Sequence, residues 1–183
     1  MRELALNILD IITNSVEAEA TRVILVIEER RSQDRLSIRI KDNGRGMNNE
    51  LVTNVLDPFV TTRTTRAVGM GLSMLRQIAM QCGGDLTIES ELGKGTLVTV
   101  TMKLSSINRP PLGDMADSMV NLIIGAIDVH FYYIHRTDVG TFCFDSFWML
   151  ARMAERDCGL YAIVGPAKEH IKENLKMIQS RMY

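Results

Sequence analysis

Asp42-Asn43-Gly44-Arg45-Gly46-Met47 sets a carboxylate at the end of an alternating apolar segment and runs it straight into two glycines. Upstream, Leu36, Ile38 and Ile40 alternate with Ser37, Arg39 and Lys41, the period-two pattern of a strand with one buried face. Asp42 continues the even-numbered, inward series. A buried carboxylate requires a hydrogen-bond donor, because an unpaired ionised oxygen costs several kcal/mol, and a ligand amine would serve. Gly44 and Gly46 lack a Cβ, so the chain can turn sharply there and a flat ligand can lie against it. The same six residues also suit an ordinary strand-ending turn. The surrounding chain decides between the two.

Residues 2–18 show a helical period, with Leu4, Ile8, Ile12 and Val16 forming an apolar stripe. Asn7, Asp10, Asn14 and Glu17 follow one another at steps of three or four and line another side. Polar residues often line a helix simply because water is there; here Leu6, Leu9 and Ile11 crowd that side, which argues for partial cover. Asn14, one turn after Asp10, makes an oxygen site suited to hydrated Mg²⁺ and an attacking water.

Val23–Ile27 is a nearly unbroken apolar run that suits a central strand buried on both faces. Residues 30–35 close a hairpin to the Asp42 strand, and Asn48 caps a short helix ending near Val55. Residues 57–69 have neither period and form a loop rich in hydroxyls and cations. That loop enters Gly69-Met70-Gly71 and a helix with Leu72, Leu75, Ala79 and Cys82 on one face, stopped by Gly83-Gly84. Amide groups at such a helix start can receive phosphate, and Arg63 and Arg66 upstream can add charge-assisted contacts; a solvated basic loop is the bland alternative. Two strands follow, 86–90 and 96–104, with Thr96 in the inward phase.

The chain has 183 residues, 21 basic and 22 acidic, net charge −1, with no electrostatic reason to seek nucleic acid or an anionic membrane. No apolar run reaches the roughly 18–20 residues of a membrane span and no signal peptide opens the chain, so a cytoplasmic location is expected. Cys82, Cys143 and Cys158 lack both disulfide parity and metal-ligand spacing and are expected as buried or partly buried thiols.

Asn108–Gly113 is a linker-like break. Beyond it, Asp114 caps a helix directing Met115, Met119, Leu122, Ile123 and Ala126 inward. A hairpin follows, carrying Val129, Phe131 and Tyr133, then Phe142 and Phe144. Ser146 caps a further helix, and Pro166 precedes a charged amphipathic final helix. Aromatic residues up to Trp148 form local core or a docking surface for a protein partner or a second copy of the chain.

Taken together and in order, these stretches resemble the GHKL ATPase superfamily over residues 1 to about 104. Residues 2–18 look like its N box, Asp42–Gly46 like its first glycine box and Asp57–Arg63 like the start of its ATP lid. Gly69-Met70-Gly71-Leu72 resembles the second glycine box, and Gly93-Lys94-Gly95-Thr96 the box closing the nucleotide pocket. The resemblance implies a Bergerat-type α/β fold, an α+β two-layer sandwich whose mixed sheet is covered by helices on one face. Residues 1–107 would form the ATP-binding domain and residues 108–183 a small α/β extension.

By that likeness, ATP and Mg²⁺ are the cofactors. Asp42 accepts from the adenine amino group, with Thr96 completing base recognition. Asn14 coordinates the metal, while Gly44, Gly46 and Met47 border the base. Gly69, Gly71 and Leu72 hold phosphate, and Thr62, Arg63 and Arg66 close over it. Hydrolytic members place a glutamate where this chain has Asp10, the implied catalytic group. No phosphoacceptor hairpin precedes the N box, so none of His130, His135 and His170 is expected to be autophosphorylated. The implied function is slow ATP hydrolysis or phosphotransfer in trans to a partner protein; the alternative is a nucleotide-gated interaction module.

Overall fold

The computed structural model describes residues 3–55, 70–156 and 159–180. Its elements are α1 (Leu4–Glu17), β1 (Arg22–Arg30), a 3₁₀ turn (Arg31–Gln33), β2 (Arg35–Asp42), α2 (Asn49–Val55), α3 (Met70–Gln81), β3 (Asp85–Glu91) and β4 (Gly95–Lys103). Then come α4 (Met115–Gly125), β5 (His130–Thr137), β6 (Thr141–Asp145), α5 (Ser146–Arg156) and α6 (Leu160–Met177). No helix among the described residues is long and apolar enough to cross a membrane.

The strands form one mixed sheet in the order β3-β4-β2-β1-β5-β6, antiparallel except for the β1–β5 pair. Register stacks the apolar phase across it: Leu25 lies opposite Ile40 on one side and Tyr133 on the other, and Ile40 opposite Val98. These residues are buried together with Leu4, Ile8 and Ile12 of α1, Leu75 and Ala79 of α3, and Met115 and Met119 of α4. Helices thus cover one face, as a period-two burial pattern requires. The expectation that Val23–Ile27 is buried on both faces is corrected: Val23, Leu25 and Ile27 are buried, whereas Ile24 and Val26 are half-buried. They point to the face that no described helix covers.

The C-terminal hairpin adds to the same sheet through β5, so residues 130–145 complete what residues 22–103 begin. The stretch expected as a linker serves α1. Carbonyls of Pro111 and Leu112 accept from the first amides of that helix, Leu4 and Ala5, each at 2.9 Å, satisfying two groups every helix start leaves open.

Three local expectations are revised. Pro166 lies inside α6 rather than before it; the stripe Ile163, Ala167, Ile171 and Leu175 is buried straight through it, and that packing offsets the backbone bond proline cannot make. Asp145 rather than Ser146 caps α5, its carboxylate accepting from the Phe147 amide at 2.8 Å, while the Ser146 hydroxyl accepts from Phe131 N–H. Cys143 is exposed, because it falls in the outward phase of the edge strand β6; Cys82 is buried as expected. Cys158 lies outside the described residues.

The three histidines have structural partners. His135 is fully buried between Tyr133 (2.6 Å) and Glu29 (2.8 Å), His130 contacts Asp145 at 2.6 Å, and His170 stacks on Trp148 with ring centroids 4.8 Å apart.

Candidate nucleotide site

The end of β2, the polar side of α1, α2 and the first turn of α3 surround a cleft of about 480 Å³. Asp42, 8% exposed, stands in it. Its Oδ2 accepts from the Ser15 hydroxyl at 2.8 Å, and its Oδ1 accepts from the amides of Gly44 (2.9 Å) and Thr96 (3.2 Å). The donor that burial demands therefore comes from the protein itself, not from a ligand alone. A carboxylate offers about four lone-pair positions, so three donors leave acceptor capacity facing the cleft.

The turn after Asp42 is held from several sides. Asn43 accepts from Thr21 and Arg22 amides at 3.0 and 2.8 Å, fastening the end of β2 to the start of β1. Gly46 adopts φ +65°, and a Cβ there would lie 2.0 Å from the Glu91 carbonyl oxygen. Gly95 adopts φ +107°, and a Cβ there would lie 2.1 Å from the Asp42 carbonyl oxygen. Both contacts exclude any larger residue. The Ser90 hydroxyl accepts from Met47 N–H at 2.8 Å and pairs with the Thr96 hydroxyl at 2.9 Å, so Thr96 reaches Asp42 through its backbone and Ser90 through its side chain.

Asp10, Asn14, Asp42, Gly46, Met47, Gly71, Leu72 and Thr96 all line this one cleft. Gly44 sits behind, buried, donating to Asp42. Thr62, Arg63, Arg66 and Gly69, with the rest of the expected lid, lie outside the described residues. Gly71 opens α3 close against Asp10: a Cβ there would lie 3.2 Å from Asp10 Oδ2. Ile11, Leu51, Val55, Leu72 and Val98 make apolar walls, while Asp10 and Asn14 add polar groups, a combination suited to a flat base joined to a charged tail.

Sequence reasoning missed Ser15 and Arg45, both of which line the cleft. Ser15 follows Asn14 directly, but no spacing rule signals a partner 27 residues away. Arg45 lay in plain view inside the glycine-rich turn.

Among the described residues no group of three or more His, Cys, Asp or Glu side chains could cage a metal. The cleft offers instead one side-chain amide, Asn14, flanked along α1 by the carboxylates of Asp10 and Glu17, while Asp42 is engaged by its three donors. That set fits Mg²⁺, which keeps several waters and takes few protein ligands beside phosphate oxygens.

Residues 2–106 match the family described as histidine kinase-, DNA gyrase B- and HSP90-like ATPase. The chain belongs to this ATPase family. Membership implies an ATP-binding, histidine-kinase-like ATPase domain, and the boxes expected of GHKL proteins fall within the matched stretch. Sporulation kinase D of Bacillus subtilis is 32% identical over 99 residues, which cover 54% of this chain and 19% of that protein. The tetrathionate sensor histidine kinase TtrS of Salmonella typhimurium is 32% identical over 95 residues, 50% of this chain and 16% of that protein. The GHKL chain described here thus spans less than a quarter of the length of these curated relatives. Among solved structures, the N-terminal domain of a DNA repair protein superposes with a TM-score of 0.54 at 16% identity, covering 79% of this chain and 52% of that one. That likeness speaks for the fold alone.

Proposed function

We propose that the chain binds ATP with Mg²⁺ in this cleft and either hydrolyses it slowly or passes the terminal phosphoryl group to a partner protein. One observation carries the reading: a buried aspartate, already oriented by three donors, shares an apolar-walled cleft with Asp10 and Asn14. Asp42, fixed in orientation, accepts from an exocyclic amine on the base. That selects adenine, because guanine carries a carbonyl at the corresponding position and two acceptors would face each other. Ile11, Leu72 and Val98 exclude water around the ring.

Asn14 would hold the metal through its amide oxygen, and the metal would supply charge neutralisation to the phosphates. Amides opening α3, with the helix dipole behind them, receive phosphate. Arg63 and Arg66 add cations by their place in the sequence. Asp10 orients the attacking hydroxyl, from water or from a partner's side chain, and accepts its proton. An aspartate is one methylene shorter than the glutamate of hydrolytic relatives, which supports slow turnover.

Titration with ATP, ADP and GTP, with and without Mg²⁺, tests this. ATP is expected to bind more tightly than GTP, and Asp42→Ala to erase that preference. Equal affinity for adenine and guanine nucleotides in the unmodified protein would refute it. If ATP binds but phosphate release stays at background with candidate partners present, nucleotide-gated binding replaces catalysis as the reading.

A further inference from the structure

The face of the sheet that no described helix covers carries a second polar hollow, of about 450 Å³, lined by Glu28, Arg30, Arg35, Ser37, Arg39 and Thr99. Strand register builds it. Arg35 lies directly across from Arg30 on β1 and from Lys103 on β4, a row of three cations. Like charges in cross-strand register destabilise a sheet unless an anion lies between them. One row further in, Arg39, Arg136 and Arg30 converge on the single carboxylate of Glu28, at 2.9, 3.2 and 3.8 Å. Arg30 is also 3.9 Å from Asp138, and Glu89 is a further carboxylate on the hollow. Four arginines thus gather here with three acids.

Ser37 gives the independent sign. It is only 6% exposed although it points to the uncovered face, and its hydroxyl has no hydrogen bond among the described residues. No buried side-chain oxygen or nitrogen of the described residues is both sealed from solvent and unpartnered, so this hydroxyl opens into the hollow. A hydroxyl between guanidinium groups is the donor set that recognises a tetrahedral oxyanion.

We propose that this hollow binds a phosphoryl oxyanion, with Arg30 and Arg35 as the cationic clamp and Ser37 and Thr99 donating from its floor. Arg35 opens the strand that Asp42 ends, so the two sites are separated by about 23 Å along β2 at about 3.3 Å per residue. They also lie on opposite faces of the sheet. The anion is therefore not the nucleotide in the cleft. Inorganic phosphate and a phosphorylated partner side chain share the required chemistry.

Thermal melts of the whole chain without nucleotide, in chloride and in inorganic phosphate at equal ionic strength, test the site. Saturating phosphate is expected to raise the wild-type midpoint by about 2–4 °C. Arg35→Gln and Ser37→Ala are each expected to lose that rise, and Asn14→Ala, in the cleft, to keep it. In chloride Arg35→Gln should melt no lower than wild type, since it relieves the cationic row; a lost phosphate response then cannot be ascribed to misfolding. A short phosphoserine peptide, run against its unphosphorylated form, separates the sources: a stronger response than to phosphate assigns the site to a partner's side chain, an equal one to the free anion. No rise in wild type, or a rise unchanged in Arg35→Gln, overturns the proposal. So does a rise lost only in Asn14→Ala, which puts the anion in the cleft.

Discussion

The Ser15 hydroxyl donates to Oδ2 of Asp42 at 2.8 Å, joining the polar side of α1 to the last residue of β2 inside the cleft. A hydrogen bond to a buried charged acceptor contributes about 1.5–3 kcal/mol. Ser15→Ala should therefore lower the melting midpoint by about 3–10 °C. ATP affinity should fall with it, because Asp42 loses the contact that orients one of its oxygens. Circular dichroism melts and calorimetric titration measure both; an unchanged midpoint would mean that Gly44 and Thr96 suffice to hold the carboxylate.

Asp10→Asn is expected to leave ATP affinity within about twofold of wild type while lowering turnover at least about 100-fold, since an amide cannot accept the proton. Phosphate release under saturating ATP is the readout. Equal loss of binding and turnover would give Asp10 a binding role instead.

Two glycines of the cleft should behave differently. Gly95→Ala forces a Cβ to within 2.1 Å of the Asp42 carbonyl oxygen at φ +107°, and a loss of at least about 3 kcal/mol is expected. Gly71→Ala meets only the movable end of Asp10, at 3.2 Å. Its midpoint should stay within about 2 °C of wild type, with turnover reduced about 3–10-fold as Asp10 shifts. Parallel melts and phosphate-release assays separate a backbone clash from a displaced catalytic group.

Tyr133 is fully buried, and burial first, then the charge of Glu29, pushes its phenol well above the ordinary value of 10.0. The folded state keeps a proton that the unfolded chain releases, so this contribution to stability is complete below about pH 10 and is lost as pH rises further. Tyr133→Phe should flatten the decline in midpoint between about pH 10 and 11. Tyrosinate absorbance should show one fewer group appearing together with unfolding. A Tyr133 that titrates freely in the folded protein would contradict its enclosure between His135 and the core.

Much of the fold was legible because burial on a single face writes itself into the sequence as alternation. Leu36, Ile38, Ile40 and then Asp42 announced both the strand and the inward carboxylate. The i, i+4 stripe of Leu4, Ile8 and Ile12 likewise announced α1 and, by elimination, the side bearing Asp10 and Asn14. Local patterns do not say what lies on the far face of a strand, and for that reason Ile24 and Val26 were expected to be buried. Nor do they register a rigid apolar stripe that carries a helix through Pro166.

By itself the sequence determined the order of strands and helices, the family and the residue types of the cleft, because these follow from periodicity and from short glycine-bearing turns. Only the tertiary structure decided that the C-terminal hairpin extends the same sheet, that Ser15 meets Asp42, and that Arg30, Arg35 and Ser37 share one hollow. Those pairings join residues far apart in the chain through strand register and helix packing, and no local pattern encodes them.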